Sequence, residues 1–173
     1  MKIILKPIGN FDKDIIEELK ERLNHIFGCE IEITPVFTSL NKTYEAERGQ
    51  YLAPELLTEI QEPDTAKGEM VLGITDADLY APKLNFVFGT ADVTTSTAII
   101  SLNRLRQEYQ ELPSDKALFM DRATKEAVHE LGHLFGLEHC ADTKCVMLFS
   151  NCLADTDQKQ ITFCSQCRPK LIK

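Results

Sequence analysis

The apolar positions change period several times along the chain, and each change marks an element. Residues 2–5, KIIL, are a short apolar run that predicts a buried strand. In residues 10–28, Ile15, Leu19, Leu23 and Ile26 recur at three- and four-residue spacing, which predicts an amphipathic helix with Gly28 as its C-terminal cap. His25 lies beside that stripe and reads as a structural side chain at or near the surface. Residues 30–37, EIEITPVF, alternate and are β-branched, a second strand. A helix between two strands at this spacing suits a right-handed crossover between parallel strands. The stretch 43–60 is polar and partly helical. EMVLGIT (69–75) and NFVFGTADVTTSTAIISL (85–102) predict further strands, the last pair joined through GTADVTTS. From about Ser114 the spacing is helical again until Gly136 stops it. The tail beyond loses periodicity and predicts irregular structure with one short helix near the end.

Length and composition narrow the classes. A chain of 173 residues suits one domain able to bury a core without covalent staples. Residues 1–136 would form its N-terminal part, ending in the long helix, and residues 137–173 a C-terminal subdomain. A net charge of −8 leaves no basic face for nucleic acid or anionic lipid. The first residues hold three consecutive apolar side chains before Lys6 and Pro7, against the ~7–15 of a secretory leader. No stretch approaches the ~20 apolar residues of a membrane span. A monomeric, cytoplasmic protein with no membrane and no nucleic-acid partner is expected. In that compartment its six cysteines read as metal ligands or reduced thiols rather than disulfides. Cys29 and Cys152 stand apart and read as small buried side chains.

The long helix carries the chemistry. His129 and His133 fall one turn apart on one face, where two imidazoles can grip one ion, and Glu130 flanks that face. Ala123, Ala127, Val128, Leu131, Leu134 and Phe135 lie on the opposite arc, so metal face and core face are expected to separate. Gly136 permits a sharp turn that could bring His139 round as a third ligand. Three neutral imidazoles with one open position describe a catalytic zinc site. By chance this spacing of His, Glu, Gly and His arises in on the order of one random sequence in a hundred thousand.

Cys140 and Cys145, then Cys164 and Cys167, give two ligand pairs, the arrangement of a four-cysteine zinc site. His139 and Cys140 are neighbours, and on extended backbone neighbouring side chains point to opposite sides. Two zinc ions, back to back across one peptide, are therefore expected. Four thiolates leave their ion at about −2 with no vacancy, a structural site; three imidazoles leave the full +2, a catalytic one.

HELGHLFGLEHC, followed by Cys145-Val146-Met147 and CSQC, closely resembles the archaemetzincins, a branch of the metzincin zinc metalloproteases. The upstream GITDADLYAPKLNFVFGTA is similar to that family too. The resemblance implies an α+β, metzincin-like fold: a twisted mixed sheet packed on an active-site helix, with a zinc-stabilised C-terminal subdomain. It implies that His129, His133 and His139 hold the catalytic zinc, that Glu130 is the general base, and that Cys140, Cys145, Cys164 and Cys167 hold the structural zinc. Met147 matches the methionine of the turn beneath the histidines. No tyrosine follows Tyr109, so the tyrosine that assists at zinc in some metzincins is absent; Tyr80 is the remaining guess for that role.

The expected function is hydrolysis of peptide bonds in a peptide or protein substrate, by a zinc-activated water and Glu130. One strand of NFVFGTADV could be a sheet edge that pairs with the extended substrate. A non-catalytic, zinc-stabilised peptide-binding module is one alternative, opposed by Glu130, for which a structural site has no use. A metal-dependent ribonuclease is another, opposed by the four cysteines and the negative charge.

Overall fold

The computed structural model describes residues 1–10, 12–38, 43–61 and 68–171. The main sheet comprises β1 (Lys2–Ile8), β2 (Glu30–Ile33), β5 (Glu69–Thr75), β7 (Gly89–Asp92) and β8 (Thr97–Ser101), in the order β2-β1-β5-β8-β7. Its first four strands are parallel, and β7 runs antiparallel to β8, which makes the sheet mixed. A smaller sheet joins β3 (Tyr44–Glu45), β4 (Gln50–Leu52) and β6 (Leu79–Tyr80).

Alternation along the strands decides which helix covers which face. Ile3, Leu5, Leu72, Ile74, Ala98 and Ile100 pack with α1 (Lys13–Phe27) and α3 (Lys116–Leu134). Ile8 and Ile99 point the other way, onto Leu56 and Ile60 beside α2 (Ala53–Glu59). Helix α1 starts where Asp12 accepts a hydrogen bond from the Asp14 N–H (3.0 Å) and stops at Gly28, φ 61°. Among the described residues no helix is long and apolar enough to cross a membrane.

Four elements differ from those predicted. Strand β1 runs through Pro7 to Ile8 because β5 pairs with its whole length. On its other side β2 ends at Ile33, interrupted by Pro35. The chain returns in an isolated bridge at Phe37, whose N–H donates to the Pro7 carbonyl (2.8 Å) and whose carbonyl accepts from Gly9 N–H (2.9 Å). NFVF is not a strand. The strand is GTAD, which had been expected as the connector, and the turn is Val93–Ser96. Asp92 sets that turn by accepting from Thr94 N–H (2.9 Å) and the Thr95 hydroxyl (3.1 Å). The tail helix α4 (Leu153–Gln158) lies in the middle of the tail, and residues 168–171 form only a 3-10 turn.

Candidate metal centres

Helix α3 is capped by Asp115, whose carboxylate accepts from Leu118 N–H (3.0 Å). At its other end Gly136, with φ 81°, closes a turn in which Leu137 N–H reaches the Gly132 carbonyl (3.1 Å). That reversal carries His139 back to the helix. The ligand nitrogens of His129, His133 and His139 all lie within 4.8 Å of one another. His129 Nε2 and His133 Nε2 are 3.1 Å apart. Two nitrogens bound to one tetrahedral zinc would be about 3.3 Å apart, so the pair fits an ion. Nδ1 of His129 donates to the Val146 carbonyl and Nδ1 of His133 to the Leu137 carbonyl, both at 2.8 Å. Each bond leaves Nε2 as the bare lone pair.

Burial lowers the pKa of all three imidazoles, with Lys159 adding to the effect, and His129 is pushed down to about 2. They are therefore neutral at pH 7, the form in which an imidazole can bind a metal. In the metal-free protein the three imidazoles should consequently contribute less stability in acid. A folded pKa below the unfolded ~6.5 makes stability full above that value and decreasing as pH falls below it. From His129 alone the loss at pH 5 is about 2 kcal/mol, opposed by Glu130, whose raised pKa favours the folded state as pH falls. In metal-free Glu130→Gln protein, which lacks that opposing group, the denaturant midpoint should be lower at pH 5 than at pH 7.

The expected clean separation of two helix faces does not occur. Helix α3 is buried around nearly its whole circumference, including Arg122, Lys125, Glu126, His129 and Glu130. The tail folds across the side that periodicity assigns to solvent and supplies counter-charges. Arg122 makes two 2.7 Å bonds to Asp157. Lys159, fully buried, lies 3.0 Å from Glu126, which also accepts from the Thr156 hydroxyl (3.0 Å). Glu130 sits one turn from Glu126. Its own burial, and secondly Glu126, raise its pKa well above the carboxylate range, against the pull of Lys159. A doubly charged ion at the histidines would act in the opposite sense, stabilising the carboxylate.

Gly89 on β7 makes room for Glu130, an arrangement the sequence reading missed. A Cβ there would fall 2.6 Å from Glu130 Oε1 and 2.8 Å from the Ile99 carbonyl oxygen. The backbone oxygen cannot yield, so Glu130 must. Gly89→Ala is expected to reduce kcat/KM for peptide hydrolysis about a hundredfold, the usual cost of misplacing a reacting group by an ångström. Zinc content, measured on the same sample, should not change.

Across the peptide from His139, the Sγ atoms of Cys140, Cys145, Cys164 and Cys167 form a second set within 4.8 Å. Cys140 Sγ and Cys164 Sγ are 3.8 Å apart, and two thiolates on one tetrahedral zinc would be separated by about 3.8 Å. Backbone N–H groups of Cys167 and Gln166 lower the Cys164 thiol to about 7, while burial and the neighbouring cysteines raise Cys167. The two sets share the segment between them. Val146 accepts from His129, Met147 accepts from Cys140 N–H (2.9 Å), and Met147 packs under the helix where a Cβ on Gly132 would meet its Sδ.

Other candidates lie elsewhere. His25 is exposed, and Cys29 is partly buried against the core. Cys152 is exposed, contrary to expectation, because Asp155 accepts from its N–H (3.2 Å) and holds it at the start of α4 in solvent. Tyr80 lies under the Arg48 guanidinium, 4.3 Å from the ring centre, and does not line the histidine cleft. That cleft has a volume of about 950 Å³ and runs between β7 and α3. Among the described residues strand β7 is the sheet's edge, so Gly89, Thr90 and Ala91 present an unpaired side to it.

Residues 13–173 match the model of peptidase family M54. The chain is 40% identical over 171 residues to the archaemetzincin of Methanocaldococcus jannaschii, covering 99% of this chain and 93% of that one. It is 42% identical over 176 residues to the archaemetzincin of Pyrococcus furiosus, with 98% and 91% covered. Among solved structures, the archaemetzincin of Archaeoglobus fulgidus complexed with malonate superposes with a TM-score of 0.86 at 37% identity, over 98% of this chain and 99% of that one. A zinc-dependent peptidase from Methanocorpusculum labreanum gives a TM-score of 0.89 at 28% identity, with 98% and 99% covered.

Proposed function

Because the chain belongs to peptidase family M54, the archaemetzincins, and is a zinc metallopeptidase, we propose that His129, His133 and His139 hold its catalytic zinc and that Glu130 is the general base. The observation that carries this reading is the convergence of three neutral imidazoles beside a buried carboxylate in one cleft. Zinc at the histidines supplies a Lewis acid that makes water acidic enough to ionise near neutral pH and polarises a carbonyl. Glu130 takes the proton from the attacking water at its carboxylate and passes it to the leaving amine. His129 and His133 are held in the ligating tautomer by the Val146 and Leu137 carbonyls. The free edge of β7 orients the substrate by pairing with it as an added strand.

The four cysteines hold a structural zinc. Their thiolates would outweigh its charge and fill its coordination, leaving no place for a reactant. In this reading residues 1–173 act as one catalytic domain, with residues 137–173 tied down by that ion. A monomer in the cytoplasm, with no nucleic-acid or membrane partner, is supported by the net charge of −8 and by thiols that must stay reduced. The test is exposure of a diverse peptide mixture to the zinc-loaded protein, with cleavage read by mass spectrometry. New termini from the wild type support the reading, and an intact mixture overturns it.

A further inference from the structure

One wall of the cleft is built by a segment with little secondary structure of its own. Residues 84–88 line it, and the rings of Phe86 and Phe88 meet edge to face 5.2 Å apart. Side chains from elsewhere hold the segment in place. Arg48 donates to the carbonyls of Leu84 (3.3 Å) and Asn85 (3.1 Å), and Gln50 to that of Asn85 (2.9 Å). Arg104 stands 4.4 Å from the centre of the Phe86 ring and 4.9 Å from that of Tyr109. Both oxygens of Asp78 fix its guanidinium, at 2.7 and 2.8 Å, and Asp78 also accepts from Gln50 (3.1 Å). Arg104 itself does not line the cleft.

The cleft exposes apolar surface. Leu84, Val93 and Phe149 line it and are 47%, 56% and 45% exposed, and the Phe149 ring lies 4.8 Å from that of His139. Bare apolar groups gathered at one concave site mark a place where a ligand covers them. Among the described residues no lysine or arginine lines the cleft, so no side-chain cation of that kind is there to pair with a substrate carboxylate.

Resting on the peptidase reading, we propose that the cleft selects peptides by a bulky apolar side chain seated against Phe86, and that Arg104 is the positioning residue that sets this selectivity. Phe86 is half-buried against the core and Phe88, and the guanidinium holds its ring from a further side, so without it the ring's angle in the cleft wall is less firmly fixed. Asp78 matters because it turns the flat face of Arg104 into a fixed support. Lysine at 104 would keep the charge opposite Asp78 but lose the planar, two-pronged contact.

The test uses zinc-loaded Glu130→Gln protein, so that peptides bind without being cut. Blocked peptides share a glycine–alanine frame and carry phenylalanine, leucine, alanine or glutamate at one central position; binding is read by calorimetry. Phenylalanine and leucine peptides should bind about tenfold or more tightly than the alanine peptide, with glutamate weakest. Adding Phe86→Ala should remove the preference. Adding Arg104→Lys should cut it about threefold, the weight of one cation–ring contact, with the alanine peptide's Kd unchanged. A purely structural Arg104 would instead weaken every peptide alike and leave the preference unchanged. No preference in the parent, or one untouched by either substitution, would overturn the proposal. Failure of the wild type to cut the tightest-bound peptide counts against the peptidase reading instead, since the binding ratios do not depend on turnover.

Discussion

Glu130→Gln is expected to fold, bind zinc and melt as the wild type does, yet to lose peptide hydrolysis by several orders of magnitude. Glutamine keeps the volume and shape that fit between α3 and Gly89, where even one added carbon is not accommodated. What it lacks is a lone pair basic enough to take a proton from water. General-base contributions alone are typically ~10²–10⁴-fold. The same group must also return the proton to the amine, so both halves of the reaction suffer. Stability should not fall, because a neutral amide is less costly to bury beside Glu126 than a second carboxylate. Steady-state rates on one cleaved peptide, with zinc analysis of each sample, decide the matter. Undiminished turnover would remove Glu130 from the mechanism.

Cys167→Ser should produce the largest change in stability. A structural zinc contributes apparent binding energy of ~10–16 kcal/mol, as large as the ~5–15 kcal/mol that holds a whole domain together. Cys167 is buried, and the tail it anchors has little regular structure to fall back on. Loosening that tail also withdraws the Val146 carbonyl from His129 and Lys159 from Glu126. The variant should therefore melt far below the wild type and lose activity as a consequence of losing the floor of its cleft. Circular dichroism melts and zinc per chain measure both effects. A wild-type melting curve would show that the cysteine set does not hold the tail.

The two clusters that could hold metal were legible in the sequence because metal chemistry restricts which residues can serve and how far apart they can lie. His129, His133 and Glu130 share a helix face by periodicity alone, and Gly136 announced the reversal that returns His139. The parallel strands and α1 were legible for the same reason, since one period ran through each. What surrounds the ligands was not. Nothing in the helical period marks Arg122, Glu126 or Lys159 as buried, and only tertiary pairing with residues about thirty positions away buries them. Gly89 and Gly132 matter through the space they leave for Glu130 and Met147, which a sequence does not display. Residues 85–88 looked like a strand because their apolar spacing suits one. Two aromatic rings used against Arg104 and the core leave the same pattern as a ladder.

The division of labour between the two ions is tested most directly by removing them unequally. The histidine site opens on a cleft that admits a chelator, and its helix is held by apolar packing on the sheet. The cysteine site is closed by its own ligands. Zinc release, circular dichroism and hydrolysis are followed together on single samples under mild phenanthroline treatment. About one zinc per chain should leave, with hydrolysis abolished, the circular dichroism spectrum retained, and turnover restored by added zinc. Release of the first zinc from the cysteine site, or hydrolysis that survives loss of the histidine zinc, would contradict the account.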